Sequence, residues 1–366
     1  MAGEQMAADQ MVDRKFPDAG HRLDATVSSS SATERVLRAD TSIAKEPAPR
    51  RLLDVRVHGI QCEADGIFSF DLRPVGDARL PPSTVGSHIE ILMRDGLERS
   101  YSLVNPPYET HRYVVAVARD PQSRGGSEFM CEILRPGHEL QITSPSNNFA
   151  LVEDAAKTIL IAGGIGITPI WSMLQRLKQI KRSWNLYYAA RSRRRAAFLA
   201  ELLELQSQYP DRINLFFDDE PNFSRFALET IVHSQIPRAH FYCCGPAGLL
   251  TAFERATACL DPETIHIERF SAEQAPARGG FDVTLAKSRR SFRIPVDQTI
   301  LEVLLSEGIE VNRSCMEGVC GTCETPVLEG IPDHRDSVLS TREREANKVM
   351  MICCSGSKTG KLVLDL

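Results

Sequence analysis

Apolar and polar residues alternate in short runs between Leu52 and about Ala150: Leu53-Asp-Val-Arg-Val57, His88-Ile-Glu-Ile-Leu-Met93, Tyr113-Val-Val-Ala-Val117 and Glu139-Leu-Gln-Ile-Thr143. A period of two is that of a strand with one buried face. Turn signals separate the runs, among them Pro81-Pro82, Asp95-Gly96 and Pro136-Gly137. Several short strands at this spacing predict a small antiparallel β-barrel over residues 49–152.

From about Lys157 the pattern changes to unbroken apolar strands followed by helical segments. Thr158-Ile-Leu-Ile-Ala162 runs through a glycine turn into a helix over Pro169–Ile180. Trp184–Ala189, a helix over Ala196–Gln206, Ile213–Phe217, His240–Cys244 and Thr264–Ile267 follow. Strands alternating with helices predict an α/β domain over 153–270, a parallel sheet with helices on both faces. Residues 271–280 read as a linker by composition. Beyond it, Phe281–Leu285 and Ser291–Pro295 form a predicted hairpin, Thr299–Glu307 a helix and Lys361–Asp365 a closing strand. That pattern predicts an α+β domain over 281–366, a mixed sheet clasping one helix. Residues 1–48 carry four consecutive serines, charges of both signs and few large apolar residues. Such a stretch cannot bury enough surface to offset its ordering entropy, so it is expected to be disordered.

With 366 residues, 42% of them apolar and 25% charged, the chain has room for two or three ordinary globular domains. A net charge of −5 supplies no basic face for nucleic acid, and no apolar run approaches the length of a membrane span. Early acidic residues (Glu4, Asp9, Asp13) with no apolar stretch after them do not make an export signal. Ten cysteines without such a signal fit a reducing cytoplasm, where they stay thiols or ligands.

Four cysteines stand apart by their spacing. Cys315-x4-Cys320-x2-Cys323 is followed by Cys353 thirty residues on. This is the ligand spacing of a plant-type [2Fe–2S] ferredoxin, in which two irons need four thiolates and one tight loop can supply three. Gly318 and Gly321 fit a loop that must bend around the cluster and turn its N–H groups to sulfur. The rival is structural zinc, whose cysteines usually come as two short-spaced couples rather than three plus one. A ferredoxin-like β-grasp fold is what the cluster reading implies for 281–366.

Arg99-Ser100-Tyr101-Ser102, at the end of a predicted strand, resembles the Arg-x-Tyr-Ser flavin motif of the ferredoxin-reductase superfamily. A guanidinium matches phosphate, a flat aromatic fits a flat ring, and a hydroxyl can donate or accept beside the flavin N5. Arg124-Gly125-Gly126-Ser127, 25 residues on, offers bare N–H groups to a phosphate before a predicted helix. The order of barrel, nucleotide domain and C-terminal cluster narrows the resemblance to the phthalate dioxygenase reductase family, over Leu52–Leu366. By that resemblance the flavin is FMN, Ala116, Val117 and Ala118 line its ring with backbone, and Thr168 approaches it from the next domain.

Gly163-Gly164-Ile-Gly166-Ile-Thr168-Pro169 departs from the Gly-x-Gly-x-x-Gly dinucleotide fingerprint. It is similar to the superfamily turn that receives a pyridine nucleotide at a helix N-terminus. The resemblance places Cys244 beside the nicotinamide and gives Gly245-Pro246 the shaping of its pocket. Arg191 and Ser192, followed by Arg193 to Arg195, come where adenosine ribose is usually read. These arginines argue for NADPH by charge, whereas the resemblance favours NADH.

The resemblance implies electron transfer from NADH to FMN to [2Fe–2S] and on to the terminal component of a Rieske-type oxygenase. The protein is then a monomer that engages neither nucleic acid nor membrane. Ser102 and Cys244 flank the expected hydride transfer. A stand-alone flavin reductase or diaphorase, or the reductase of a haem monooxygenase, is the alternative enzyme. A redox sensor is the alternative of another class, and no DNA-binding element supports it.

Overall fold

The alternating runs pair into one antiparallel sheet. Its strands are β1 (Leu52–Ala64), β2 (Ile67–Pro74), β3 (His88–Leu92), β4 (Glu98–Ser102), β5 (Tyr113–Ala118) and β6 (Glu139–Thr143), in the order β4-β3-β6-β1-β2-β5. The computed structural model describes residues 51–366 except 77, 221–226, 235–237, 273 and 340. The extension expected over 1–48 lies outside those residues. The two edges of the sheet meet: Leu103 bridges Val115, and Val104 N–H donates to Val114 C=O at 2.9 Å. Closure removes the free strand edges, which would otherwise invite pairing with another chain. Val55, Phe70, Leu72, Ile89, Ile91, Val115 and Ile142 fill the interior. A single-turn helix, α1 (Gly126–Glu128), runs on as a π-helical turn over Phe129–Ile133, and its Met130 plugs the same core.

The second sheet is parallel throughout. Its strands are β7 (Thr158–Gly163), β8 (Trp184–Ala190), β9 (Ile213–Phe217), β10 (His240–Cys244) and β11 (Ile265–Glu268), ordered β11-β10-β7-β8-β9. The connecting helices are α2 (Ile167–Gln179), α3 (Leu199–Gln208), α4 (Leu228–His233) and α5 (Ala247–Thr257). Every residue of central β7 is buried, and its side chains alternate between two cores. Leu160 and Ala162 pack with α2 and α3, and Ile159 and Ile161 with α4 and α5. The first of these cores also takes in Val104, Ala116 and Phe149 from the barrel region, so barrel and sheet share apolar packing. The strand order reverses between β7 and β10, and the crevice beyond such a reversal is where open α/β sheets bind ligands. One helix start differs from expectation. Arg193–Arg195 form a 3-10 turn and Phe198 adopts φ of 58°, which delays α3 from Ala196 to Leu199.

The third sheet is mixed. It comprises β12 (Phe281–Leu285), β13 (Ser291–Ile294), β14 (Glu324–Glu329), β16 (Val349–Met351) and β18 (Lys361–Leu364), with a separate small pair of β15 (Pro332–Asp333) and β17 (Gly356–Ser357). Helix α6 (Ile300–Ser306) lies against it, and α7 (Thr341–Ala346) precedes β16. A capping box starts α6: Thr299 Oγ1 accepts from Glu302 N–H, and the Glu302 carboxylate accepts from Thr299 N–H at 2.8 Å. Ile300, Leu301 and Leu304 then pack on Val283, Leu285, Leu362 and Leu364. The second half of the expected linker is pinned to this domain. Ala277 N–H donates to Cys354 C=O, Gly279 N–H to Gln298 C=O and Gly280 N–H to Ile294 C=O.

Gly86 offers a test of the barrel packing. Its φ is +87°, and a side chain there would run into the Phe149 carbonyl. Left-handed backbone alone costs an L-residue about 1–2 kcal/mol. Gly86→Ala should therefore lose at least about 2 kcal/mol in urea unfolding once the clash is added. Gly59→Ala, with nothing within 4 Å of the new methyl, is the control and should stay within about 0.5 kcal/mol.

Candidate functional site

Strand β4 carries Arg99, Ser100, Tyr101 and Ser102, and the pleat turns them alternately. Tyr101 packs onto the barrel core, where burial pushes its phenol pKa up. Ser102 is buried, and Arg99 reaches toward α1. Its Nη2 donates to Arg124 C=O at 3.3 Å, and its Nη1 to Glu98 C=O at 2.8 Å. A Cβ on Gly126 would stand 2.7 Å from Arg99 Cγ, and Gly125 takes φ of +90°. The Arg124–Ser127 turn and Arg99 therefore form a close cradle that a side chain at 126 would fill. Ala116, Val117 and Ala118 lie on β5, the strand that meets the end of β4 when the barrel closes.

The two expected nucleotide motifs meet at the switch point. Cys244 on β10 pairs with Ala162 on β7, which brings Cys244-Gly245-Pro246 against the Gly163–Gly166 turn. A side chain at Gly166 would strike the Cys244 carbonyl, and one at Gly163 would come 2.7 Å from Pro246 Cδ. Gly166 is required by backbone-to-backbone packing, and Gly163 by the side chains of Leu249 and Pro246. Gly164 faces open space with φ of +54°, Thr168 Oγ1 donates to Ile165 C=O at 3.0 Å, and Pro169 is buried in the first turn of α2. Arg191 is exposed and Ser192 half-buried, just past β8.

Glu268, at the end of β11, joins these two regions. It pairs with Cys244 in the sheet and hydrogen-bonds the Ser102 side chain across the domain boundary. Its Oε2 is buried without a hydrogen-bond partner among the described residues. Burial pushes its pKa up to about 8, against the lowering effect of Ser102. Burial, then Glu268 and Cys243, push the Cys244 thiol up as well, so this corner is uncharged near neutrality. From the sequence Glu268 reads only as part of Glu268-Arg-Phe270, the end of this domain. Its role arises only when β11 docks beside β10.

The cluster loop forms the opposite wall. One cleft is lined by His88, Arg99, Ser100 and Ser102 from the barrel, Glu268, Arg269 and Phe270 after β11, and Cys315, Glu317, Val319 and Cys320 from the loop. Two polar contacts fasten the loop. Arg124 Nη2 lies 2.6 Å from Glu317 Oε1, and His88 Nε2 lies 3.4 Å from Ser314 Oγ and 3.0 Å from Ser146 Oγ. Burial holds His88 below its ordinary pKa. His88 and Glu317 are further site residues with no motif of their own.

The loop suits a [2Fe–2S] group. Glu317 and Val319 N–H groups each point at Cys315 Sγ at 3.4 Å, and Cys315 N–H at Cys320 Sγ at 3.5 Å. Gly318 and Gly321 take φ of 73° and 78°. Cys315 lies against Cys320, and Cys353 against both Cys323 and Cys354. Within the first pair, hydrogen bonding raises the Cys315 pKa and lowers that of Cys320 to about 5. Among the described residues no three His, Cys, Asp or Glu side chains converge on one metal position. A fifth thiol, Cys354, is buried behind Gly318. All ten cysteines are unpaired, Cys62 and Cys259 exposed and Cys243 buried in the sheet.

Comparison with known proteins agrees with this geometry. Residues 283–357 match the 2Fe-2S iron-sulfur cluster binding domain, and 160–255 the oxidoreductase NAD-binding domain. The chain is 50% identical over 315 residues to phenoxybenzoate dioxygenase subunit beta of Ectopseudomonas oleovorans, covering 86% of this chain and 97% of that one. It is 46% identical to tetrachlorobenzoquinone reductase of Sphingobium chlorophenolicum, covering 87% and 99%. The solved structure of phthalate dioxygenase reductase superposes with a TM-score of 0.68 at 35% identity, covering 86% of this chain and 98% of that one. The chain belongs to the phthalate dioxygenase reductase family. It is an oxidoreductase with an NAD-binding domain and a 2Fe-2S domain. No helix among the described residues is long and apolar enough to cross a membrane.

The raised pKa of Glu268 has a measurable consequence. An unfolded glutamate ionises near pH 4.3. Between that value and about 8 the folded protein keeps a proton that the unfolded chain has released. Stability attributable to this group therefore falls as pH rises through that window, by up to about 1.4 kcal/mol per pH unit. Glu268→Gln cannot ionise, so its stability relative to the parent should climb between pH 5.5 and pH 8 in urea titrations. A difference that stays flat across that range would contradict the assignment.

Proposed function

We propose that this protein is the reductase component of a Rieske-type oxygenase, acting as a cytoplasmic monomer. The observation that carries the proposal is the single cleft whose walls are the Arg99–Ser102 strand and the Cys315–Cys320 loop. Bound FMN would accept two electrons from NADH together, and the cluster would take them one at a time. The chain's part is to hold and orient. Arg99 and Arg124–Ser127 hold the flavin phosphate, Tyr101 packs on its ring, and the backbone of Ala116–Ala118 lines it. Thr168 closes on it from the second domain. Gly163, Gly164, Gly166 and Pro169 receive the nucleotide diphosphate at the start of α2. Arg191 and Ser192 meet the adenosine ribose, and Cys244-Gly245-Pro246 shapes the nicotinamide pocket. Ser102, held by Glu268, presents its hydroxyl at the reacting face. Cys315, Cys320, Cys323 and Cys353 ligate the irons. In this reading 49–152, 153–270 and 281–366 act as three units, with 271–280 between the last two.

The likeness to a tetrachlorobenzoquinone reductase supports a second reading, in which a small quinone takes electrons directly. Cysteine variants separate the two. Cys320→Ser and Cys353→Ser each remove a thiolate the cluster needs, so iron content should fall by more than half. NADH should still bleach the flavin band, and ferricyanide should still be reduced. Electron delivery to an oxygenase should drop at least tenfold. Cluster-free variants that still sustain oxygenase turnover would show that electrons leave from the flavin instead.

A further inference from the structure

Four arginines follow β8, and they bring positive charge to the edge of the sheet where adenosine ribose is read. Two of the four are not at liberty. Arg194 Nε lies 3.0 Å from Asp65 Oδ2 in the β1–β2 turn, and Asp65 N–H donates to the Arg194 carbonyl at 2.7 Å. Arg193 Nε lies 2.5 Å from Glu220 Oε1, and its guanidinium carbon sits 4.6 Å from the centre of the Phe217 ring. Glu220 is itself placed by the backbone. Its N–H donates to the Phe217 carbonyl, and the Asp218 N–H to the carbonyl of Ala190, the last residue of β8. The ends of β8 and β9 are thus stitched together, with Glu220 and Arg193 face to face on the edge that carries the Gly163–Gly166 turn.

We infer that Glu220 determines the choice of NADH over NADPH. Its carboxylate occupies the arginine that a 2′-phosphate would need, and it adds a like charge where that phosphate would arrive. A ribose 2′-hydroxyl meets neither obstacle, since it carries no charge and can donate to a carboxylate. The aromatic face of Phe217 keeps Arg193 in reach of Glu220 and restricts the alternatives open to its side chain. This inference rests on the nucleotide site assigned above to the C-terminal edge of the parallel sheet. It also accounts for Arg193 coexisting with use of NADH.

The test is binding of 2′,5′-ADP and 5′-ADP to the full-length holoprotein by calorimetry, with competition against NADH as a second readout. The parent should bind 5′-ADP more tightly. Glu220→Gln should shift the ratio of the two dissociation constants at least tenfold toward 2′,5′-ADP. Adding Arg193→Ala to that variant should cancel the shift, and Glu220→Asp should resemble the parent. Because both groups are partly exposed, the shift should shrink as salt is raised. A ratio unchanged within threefold in Glu220→Gln, while 5′-ADP still competes with NADH, would overturn the role of Glu220 and leave the site intact. If neither compound competes with NADH, the site assignment itself fails and the inference falls with it.

Discussion

The contact on which the rest depends is the docking of the cluster loop against the rim of the barrel. Direct electron transfer needs flavin and iron close together, and the Arg99–Ser102 strand proposed to hold the flavin lines the same cleft as the cluster loop. It is held by few polar contacts, chiefly Arg124–Glu317 and the His88–Ser314 pair. Arg124 is exposed, and exposed ion pairs contribute only about 0–1 kcal/mol. These contacts therefore set position more than they add stability. The same arginine belongs to the turn proposed above to hold the flavin phosphate, so in that proposal the loop's docking and the flavin's anchorage share a residue.

Behind that boundary the chemistry is kept uncharged. Ser102, Glu268 and Cys244 form a chain from the barrel to the parallel sheet, with the carboxyl held neutral up to about pH 8 by burial. A buried neutral carboxyl costs less than a buried carboxylate and can still donate a hydrogen bond. Close packing of the Gly163–Gly166 turn on the Cys244 backbone places this chain beside the nucleotide crevice without added polar groups. The cluster loop works differently. There, backbone N–H groups aimed at sulfur stabilise the negative charge of thiolate ligands.

Much of this was legible because the governing rules are local. Ligand spacing around two irons is set within nine residues, so Cys315, Cys320 and Cys323 announced the cluster. Apolar runs announced β7 and β10, since burial on both faces leaves them continuous, and aromatic and aliphatic residues announced β8 and β9. Strand β2 went unread although Phe68, Phe70 and Leu72 alternate and Asp65-Gly66 is a hairpin turn signal between it and β1. The late start of α3 depends on the left-handed Phe198, which no helix-former pattern signals. Glu268, His88 and Glu317 acquire their roles across domain boundaries, at sequence distances where no spacing rule operates. Glu220 joins Arg193 for the same reason, through the pairing of two strand ends.

The most direct test of the central claim is anaerobic stopped-flow reduction of the holoprotein by NADH, following flavin and cluster absorbance separately at several protein concentrations. Flavin bleaching should lead, and cluster reduction should follow with a rate constant independent of protein concentration, because both groups sit on one chain across one cleft. Cluster reduction that rises in proportion to protein concentration, or that precedes flavin bleaching, would contradict an intramolecular path through this boundary.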